Sequence, residues 1–235
     1  MKDDLILEVN NLCKEFGSHQ VIRCLSFEIR SGNRVALFAP SGSGKTTLIR
    51  ILAGLEPPTS GNINLRGPKP VIIFQEPRLF PYLTVEENIW LPFRLHQISP
   101  SAEMKREYQQ WLEVCELTHC TDQYPYQLSG GMKQKTALIR GLLGRPAFVL
   151  MDEPFHSIGP VSKTAIINHI KETNPQMTAI FTTHNLEEIP LLAQSVLFFK
   201  ANHLSFPANL SVQHFQSLFS ESVFHPQAIG SSIAS

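Results

Sequence analysis

A lysine followed by two threonines stands directly after a glycine- and serine-rich turn, in the stretch Ala-Pro-Ser-Gly-Ser-Gly-Lys-Thr-Thr at 39–47. The apolar run 34–38 before it predicts a buried strand, and residues 48–53 after it predict a helix. Backbone N–H groups in such a turn converge on phosphate, and the helix N-terminus adds positive potential. The Lys45 ammonium suits the outer phosphates and the Thr46 hydroxyl suits Mg²⁺. The pattern predicts a nucleotide site; a chance turn before a helix is the alternative.

The first position of this turn departs from the pattern G-x-x-x-x-G-K-[ST], because Ala39 stands where the first glycine is usual. The added methyl group is tolerated if the backbone keeps φ negative there, and it strains the turn otherwise. The candidate phosphate-binding residues are Ala39, Pro40, Ser41, Gly42, Ser43, Gly44, Lys45, Thr46 and Thr47.

Two acids and a histidine follow other predicted core strands. Asp152 and Glu153 come directly after the apolar run 147–151, and His184 follows the run 180–183. The carboxyl ends of parallel strands form the sheet edge where open α/β sheets bind ligands. With a phosphate site beside them, we expect Asp152 to hold the metal, Glu153 to activate or orient the attacking water, and His184 to bridge that water and the γ-phosphate. A structural role is the alternative for each residue alone.

Two further anion or metal sites are suggested by side chains next to predicted elements. Gln75 follows the predicted strand 71–74, so its amide would reach Mg²⁺ or water; a solvated loop amide is the alternative. Ser129, Gly130 and Gly131 open a helix, and a serine N-cap with free N–H donors makes a second anion site. Because one chain needs a single cradle for the γ-phosphate, the spare one predicts binding across a dimer.

Composition limits the functional classes. The 20 basic and 20 acidic side chains among 235 residues cancel, so the chain lacks the basic footprint of a nucleic-acid-binding protein. The start Met-Lys-Asp-Asp does not match a signal peptide, and no apolar run nears the roughly 18 residues that span a bilayer. Any membrane role is therefore expected to come through a partner. Cys13, Cys24, Cys115 and Cys120 form no C-x-x-C pair, and reduced thiols in a cytosolic protein are expected.

Strands that alternate with helices predict an α/β fold, with a parallel sheet covered on both faces. Residues 5–10 and 21–29 predict an antiparallel pair of strands. The block from about 84 to 145 predicts a mostly helical insertion, in which 101–120 carries apolar residues at helical spacing. We expect these outer parts to surround a core that holds the acids and the phosphate turn.

The motifs together resemble the ATPase subunit of ATP-binding cassette (ABC) transporters, over about residues 5 to 200. The motifs that carry the resemblance are the phosphate turn, Gln75, Leu-Ser-Gly-Gly-Met-Lys-Gln at 128–134, Val-Leu-Met-Asp-Glu-Pro at 149–154, and Thr183-His184. Segments 54–61 and 74–88 resemble the nitrate/sulfonate/taurine importer subfamily more than other subfamilies.

The resemblance implies a P-loop NTPase with a RecA-like core, an antiparallel β subdomain and an inserted helical subdomain, within a cassette of residues 1–200. A tail of unknown role, 201–235, follows, in which Val212, Phe215 and Phe219 fit a short amphipathic helix. ATP and Mg²⁺ are the implied ligands. The implied roles are catalysis by Lys45, Glu153 and His184, and metal binding by Thr46, Gln75 and Asp152.

The resemblance also implies partners. Two cassettes, identical or different, would dimerise head to tail, so that ATP on one phosphate turn meets Ser129, Gly130 and Gly131 of the other. Residues near Gln75 and the helical subdomain would hold a transmembrane permease. Phe16 has the position of the aromatic residue that stacks on adenine, with core packing as the alternative.

Three departures from the family pattern concern communication between sites and rate. Besides Ala39, the segment His-Ser-Ile-Gly at 156–159 replaces the usual Ser-Ala-Leu-Asp, so Gly159 stands where an Asp helps the two sites communicate. Asn185 replaces the Asp that usually follows the histidine. The catalytic set is kept, and hydrolysis is expected to be intact.

The favoured interpretation is a cytoplasmic ATPase, peripheral on the inner face of the membrane, that drives import of a small solute through a permease, with a solute-binding protein in the full system. A soluble cassette acting on DNA or the ribosome is disfavoured by the zero net charge and the lack of sustained heptads. A slowly hydrolysing regulatory cassette is the remaining alternative.

Overall fold

The computed structural model describes residues 5–199, 204 and 207–221, with side chains described up to 218. The strands in this part of the chain are β1 (Leu5–Phe16), β2 (His19–Arg30), β3 (Arg34–Phe38), β4 (Ser60–Leu65), β5 (Val71–Ile73), β6 (Phe148–Asp152), β7 (Thr178–Thr182), β8 (Ser195–Phe198) and β9 (Ala208–Ser211). The α-helices are α1 (Lys45–Leu52), α2 (Val85–Leu95), α3 (Ala102–Val114), α4 (Gly130–Leu142), α5 (Pro160–Thr173), α6 (Glu188–Leu192) and α7 (Val212–Glu221), with a 3₁₀ helix at Pro125–Gln127.

A six-stranded sheet in the order β5-β6-β7-β3-β8-β9 forms the centre of the fold. The first five strands in this order are parallel, and β9 is antiparallel to β8. Every residue of β6 and β7 is buried, as expected for parallel strands covered on both faces. The predicted α/β fold is confirmed, and β3, β7 and β6 end side by side.

A three-stranded antiparallel sheet in the order β2-β1-β4 covers α1. The predicted pair of strands is present and longer than expected, with 12 residues in each of β1 and β2. The tip of this hairpin reaches the phosphate turn. Val21 lies so close to Gly44 that a Cβ at residue 44 would collide with its side chain.

The block after residue 84 contains α2, α3 and α4, as its helical spacing predicts. Thr84 caps α2 in a capping box with Glu87, and Ser101 caps α3. The helix predicted over 101–120 was too long, because α3 ends at Val114 and Glu116 takes a left-handed φ of +57°. The buried apolar residues that follow lie in turns rather than in the helix.

The tail adds to the core. β9 pairs with β8, and α7 buries Phe215 against Phe38 and Phe198 with ring centroids 5.2 and 5.9 Å apart. The short helix predicted around Val212 and Phe215 is present, and the side chain of Phe219 lies outside the described residues. β9 was not predicted, since Ala-Asn-Leu-Ser carries little of the composition that marks a strand.

Two hydrophobic clusters lie on opposite faces of the central sheet. Along β6, Phe148 and Leu150 belong to the cluster that includes α1 and the antiparallel sheet. Val149 and Met151 belong to the cluster that includes α3, α4 and α5. The strand that ends at Asp152 is therefore packed against hydrophobic side chains on both faces of the sheet. Within the described residues, no helix combines the length and apolar character needed to cross a bilayer.

Candidate functional site

The turn between β3 and α1 holds Lys45 over its own backbone. The Lys45 ammonium donates hydrogen bonds to the carbonyl oxygens of Ala39 and Pro40, at 2.8 and 3.0 Å. Gly44 precedes the helix with φ +100°, a conformation that favours glycine. Ala39 is not among the residues with positive φ. Its methyl group therefore adds no backbone strain and is buried in the core.

A cavity of about 480 Å³ opens beside this turn. Its volume lies in the range of small-ligand sites. Of the predicted phosphate-binding residues, Ala39, Pro40 and Ser43 do not line it. The residues that line it are Phe16, His19, Val21, Ser41, Gly42, Gly44, Lys45, Thr46, Thr47, Gln75 and Glu153. The structure thus brings residues from both sheets to one pocket.

Phe16 forms the outer wall of this cavity and is 50% exposed. The alternative of a core side chain is therefore wrong, and one face of the ring is accessible. His19 and Val21, from the start of β2, complete this wall and were missed by sequence analysis. No sequence pattern relates these two residues to the phosphate turn, because only the fold of the hairpin brings them there.

Thr182 connects the two acids at the edge of the sheet. Its hydroxyl donates to Asp152 Oδ1 at 2.6 Å and accepts from the backbone N–H of Glu153 at 2.9 Å. Parallel pairing of β6 with β7 sets Asp152 opposite Thr182. Glu153 has a left-handed φ of +44°, which turns the chain directly after the strand. Its carboxylate reaches the cavity while that of Asp152 stays buried.

Three side chains lie near one oxygen of the Glu153 carboxylate, two from other segments and one from its own turn. Nδ1 of His184 lies 3.0 Å from Oε2, and Nε2 of Gln75 donates to the same atom at 3.4 Å. Nδ1 of His156 lies 4.0 Å from Oε2. The predicted proximity of Gln75, Glu153 and His184 is thus present. His156 was noted in the sequence only as a departure, and its position near Glu153 follows from the turn after β6.

The charge of Lys45 is influenced by its burial and by the two nearby acids, Glu153 and Asp152. Burial lowers the pKa of Lys45, while the charges of Glu153 and Asp152 act in the opposite direction. The hydroxyl of Ser43 is buried and has no hydrogen-bond partner among the described residues. An unsatisfied buried hydroxyl costs about 1–3 kcal/mol. The phosphate turn therefore contains a buried hydroxyl group, that of Ser43, for which the described residues provide no hydrogen-bond partner.

The second predicted anion site lies outside this cavity. Ser129 Oγ accepts from the N–H of Met132 at 3.2 Å, which confirms the predicted N-cap of α4. At Gly131 a Cβ would lie 2.7 Å from the carbonyl oxygen of Ser157, so only glycine fits against the segment that follows Glu153. Ser129, Gly130 and Gly131 are therefore positioned by the segment 156–159 rather than by the phosphate turn.

A phosphate turn between a parallel strand and a helix, with acids at neighbouring strand ends, defines an α/β nucleotide-binding protein of the P-loop class. The family model described as ABC transporter matches residues 22–156. The chain belongs to the ABC transporter family.

Curated relatives agree with this assignment. The chain is 36% identical over 205 residues to the spermidine/putrescine import ATP-binding protein PotA of Nitrosomonas eutropha. It is 38% identical over 208 residues to the sulfate/thiosulfate import ATP-binding protein CysA of Escherichia coli strain K12. Each match covers 81% of this chain and 56% of the relative, so the chain spans little more than half the length of these proteins.

The fold also resembles solved cassette structures. One is a dimeric ATP-binding cassette in a post-hydrolysis state, bound to ADP and Pi, with a TM-score of 0.75 and 24% sequence identity. The match covers 88% of this chain and 99% of that one. At this identity the similarity establishes the fold.

Proposed function

We propose that the chain binds ATP with Mg²⁺ and hydrolyses it, as one of two cassettes that energise import of a small solute through a transmembrane permease. The observation that carries the proposal is the convergence of Gln75 and His184 on the Glu153 carboxylate, at the cavity that also contains Lys45 and Thr46. PotA and CysA are both import ATP-binding proteins, which supports the importer class.

The phosphates would lie in the turn 39–47. The Lys45 ammonium, now held by two carbonyl oxygens, is placed to bind the outer phosphates. Gly42 has open space around its Cβ position, which leaves the backbone accessible to a phosphate. Phe16 would stack on the adenine, since its accessible ring lines the same cavity.

The donor set fits Mg²⁺. Thr46, Gln75 and Asp152 offer oxygen atoms, the ligands that Mg²⁺ prefers, and one or two carboxylates with substrate phosphates are its usual partners. The described residues include no cluster of three or more His, Cys, Asp or Glu that would hold a metal without a substrate. The bound ion would neutralise charge on the phosphates.

Glu153 is the group we assign to the attacking water. Its carboxylate would accept the proton from water. Nδ1 of His184, 3.0 Å from Oε2, would hold that carboxylate in place, and the other side of the imidazole ring would face the γ-phosphate. Thr182 fixes the backbone of Glu153 and the side chain of Asp152 together, so base and metal ligand keep a constant separation. Positioning of this kind supplies most of the catalysis in phosphoryl transfer.

A second cassette would complete the site. Ser129, Gly130 and Gly131 form a capped helix start outside the chain's own cavity, so their N–H groups are available to ATP on another chain. The dimeric state of the solved cassette bound to ADP and Pi supports this arrangement. The pair is a homodimer or a heterodimer.

The permease would dock on the helical insertion. A cavity of about 820 Å³ beside α2 and α3 presents Trp90, Tyr108, Arg94 and Glu87, a mixed apolar and charged surface suited to a short helix of a partner. Docking there would place the chain on the cytoplasmic face of the membrane, with a solute-binding protein in the complete importer. The zero net charge supports a role without nucleic acid.

The transported solute is a separate question. The resemblance of segments 54–61 and 74–88 to nitrate/sulfonate/taurine importers is a prediction that the names of PotA and CysA do not support, because these name polyamine and sulfate import. A slowly hydrolysing regulatory cassette is the second candidate, favoured by Ala39 and Gly159. A soluble cassette without a transport role is the third.

The proposal is tested by phosphate release from Mg·ATP, with dimerisation followed by light scattering. Glu153→Gln keeps the size of the side chain and removes the base, so we expect turnover to fall by about 10²–10⁴-fold and an ATP-dependent dimer to accumulate. Glu113→Gln, an exposed acid on α3, is the matched control and should keep parental turnover. ATP binding without turnover in the parent, alone and with a copurified membrane subunit, would favour the regulatory candidate.

A further inference from the structure

Two cysteines that are distant in sequence face each other across the β1–β2 hairpin. Leu12 pairs with Leu25 and Lys14 with Ile22, so Cys13 and Cys24 lie in the irregularity between these two pairs. Their Sγ atoms lie 3.7 Å apart. A disulfide joins two sulfur atoms at about 2.05 Å, so these two atoms must move closer together to bond. The pair therefore needs only side-chain rotation and a small backbone adjustment to close.

The surroundings of the two thiols differ. The N–H of Cys24 donates to Cys13 Sγ at 3.3 Å. The pKa of Cys13 is lowered, first by a hydrogen bond from the Ser60 hydroxyl and then by this N–H. The hydrogen bond with Cys13 raises the pKa of Cys24. Cys24 is exposed and Cys13 partly exposed, so small reagents have access to both. One thiol is thus disposed to attack and the other to resolve.

We propose that Cys13 and Cys24 form a redox modification site, at which a low-molecular-weight disulfide converts the two thiols into an intramolecular disulfide. The Cys13 thiolate attacks one sulfur of the reagent, forming a mixed disulfide and releasing one thiolate. Cys24 then attacks the Cys13 sulfur and releases the second thiolate. The two protons lost by the cysteines are taken up by the released thiolates, so the reagent is reduced to two thiols.

Cys13 lies three residues before Phe16, at the end of β1 that lines the nucleotide cavity. The carbonyl of Cys13 accepts from the N–H of Thr59, and the Thr59 hydroxyl accepts from the N–H of Glu15, next to Phe16. We expect the small backbone adjustment at Cys13 on closure of the disulfide to disturb these hydrogen bonds with Thr59. Resting on the proposed binding of adenine at Phe16, we expect the disulfide to raise the KM for ATP severalfold with little change in kcat.

The test is oxidation of the purified full chain with graded ratios of oxidised to reduced glutathione, followed by thiol counting and peptide mass mapping. We expect two of the four thiols to be lost, a Cys13–Cys24 linkage in the peptide map, and recovery of both thiols on addition of dithiothreitol. These readouts are independent of ATP hydrolysis, so they remain informative if the proposed function fails.

Two serine variants separate the alternatives. Cys120→Ser keeps both thiols of the pair and should form the linkage. Cys24→Ser removes the resolving thiol, so a glutathione adduct should remain on Cys13. Stable glutathione adducts without the linkage in the parent, or a disulfide between two chains, would overturn the proposal. A linkage that forms in the parent and leaves KM unchanged would overturn its connection to the nucleotide pocket.

Discussion

Lys14 is a buried cation that ties the end of β1 to the segment after α1. Its ammonium contacts Glu56 Oε1 at 2.6 Å and donates to the carbonyl oxygen of Pro57 at 2.7 Å. The same ammonium lies 4.7 Å from the centroid of the Phe16 ring. It therefore links the aromatic wall of the nucleotide cavity to the segment that follows α1. We regard Lys14 as a positioning residue for the proposed adenine contact.

Replacing Lys14 with Met removes the charge and keeps most of the side-chain stem. A cation–π contact of this kind contributes about 0.5–1 kcal/mol, so we expect the KM for ATP to rise about two- to fivefold with kcat nearly unchanged. Steady-state ATPase kinetics measure this separation. Arg66→Met breaks the exposed pair with Glu8 on the same sheet and is the matched control. An equal rise in both variants would assign the effect to the stability of the sheet.

The residues that carry the proposed chemistry could be predicted from the sequence. The residues that position them could not. Lys45, Glu153 and His184 each follow a buried strand, a relation that the order of elements reveals directly. Thr182 and Lys14 act through residues that are 30 and 42 positions away in sequence. Such contacts depend on strand register and loop paths, which hydrophobic periodicity does not define.

The interface between α3 and α5 contains a histidine whose charge the fold disfavours. His169 packs edge to face on Trp111, with ring centroids 4.5 Å apart, and its Nε2 has no hydrogen-bond partner among the described residues. Burial is the main cause that lowers its pKa; Arg145 acts in the same direction and Glu172 against it. The neutral ring is therefore the form that the folded helix pair favours.

Acid should weaken this helix interface. The unfolded chain binds a proton at an ordinary pKa of 6.5, while the folded chain binds it only at lower pH. The contribution to stability is thus complete above pH 6.5 and is lost as the pH falls through the lowered pKa. We expect the Tm of the parent to fall over this interval. The melting temperature is measured by circular dichroism across a pH series.

His169→Phe keeps an aromatic ring against Trp111 and removes the titration, so its Tm should depend less on pH in this interval than the parent Tm. His119→Phe alters an exposed histidine after α3 and should leave the parental pH dependence intact. If the curve of His169→Phe runs parallel to that of the parent, other titrating groups are responsible for the acid sensitivity.

Elements with strong periodicity were predictable, and those formed by context were not. β6 and β7 are apolar runs bounded by polar residues, and they lie where the sequence predicts them. β9 forms because the edge of β8 offers backbone partners, which its own four residues do not reveal. The C-terminus of α3 was misplaced because Glu116 adopts a left-handed conformation without a glycine to mark it.

The two parts of the proposed composite site lie at two separate locations on the molecule. The phosphate cavity lies at the meeting of β3, α1 and the hairpin tip, and the start of α4 lies against the segment 156–159. That segment begins three residues after Glu153 and ends at Gly159, the N-cap of α5. The segment therefore joins the turn after β6, which carries Glu153, to the proposed contact with a second chain. We expect its composition to govern communication between the two proposed sites.

Gly159 offers a direct test of that communication. Its φ of −64° and ψ of 154° are open to any residue, and no heavy atom lies within 4 Å of an added Cβ. Gly159→Asp restores the acid usual in the family without strain, so we expect turnover per cassette to rise about fivefold or more, the lower end of coupling between sites. Gly159→Asn caps α5 equally well without charge and serves as the control. A rate unchanged in both variants would exclude Gly159 as the cause of weak coupling, and an equal rise in both would assign the effect to the cap.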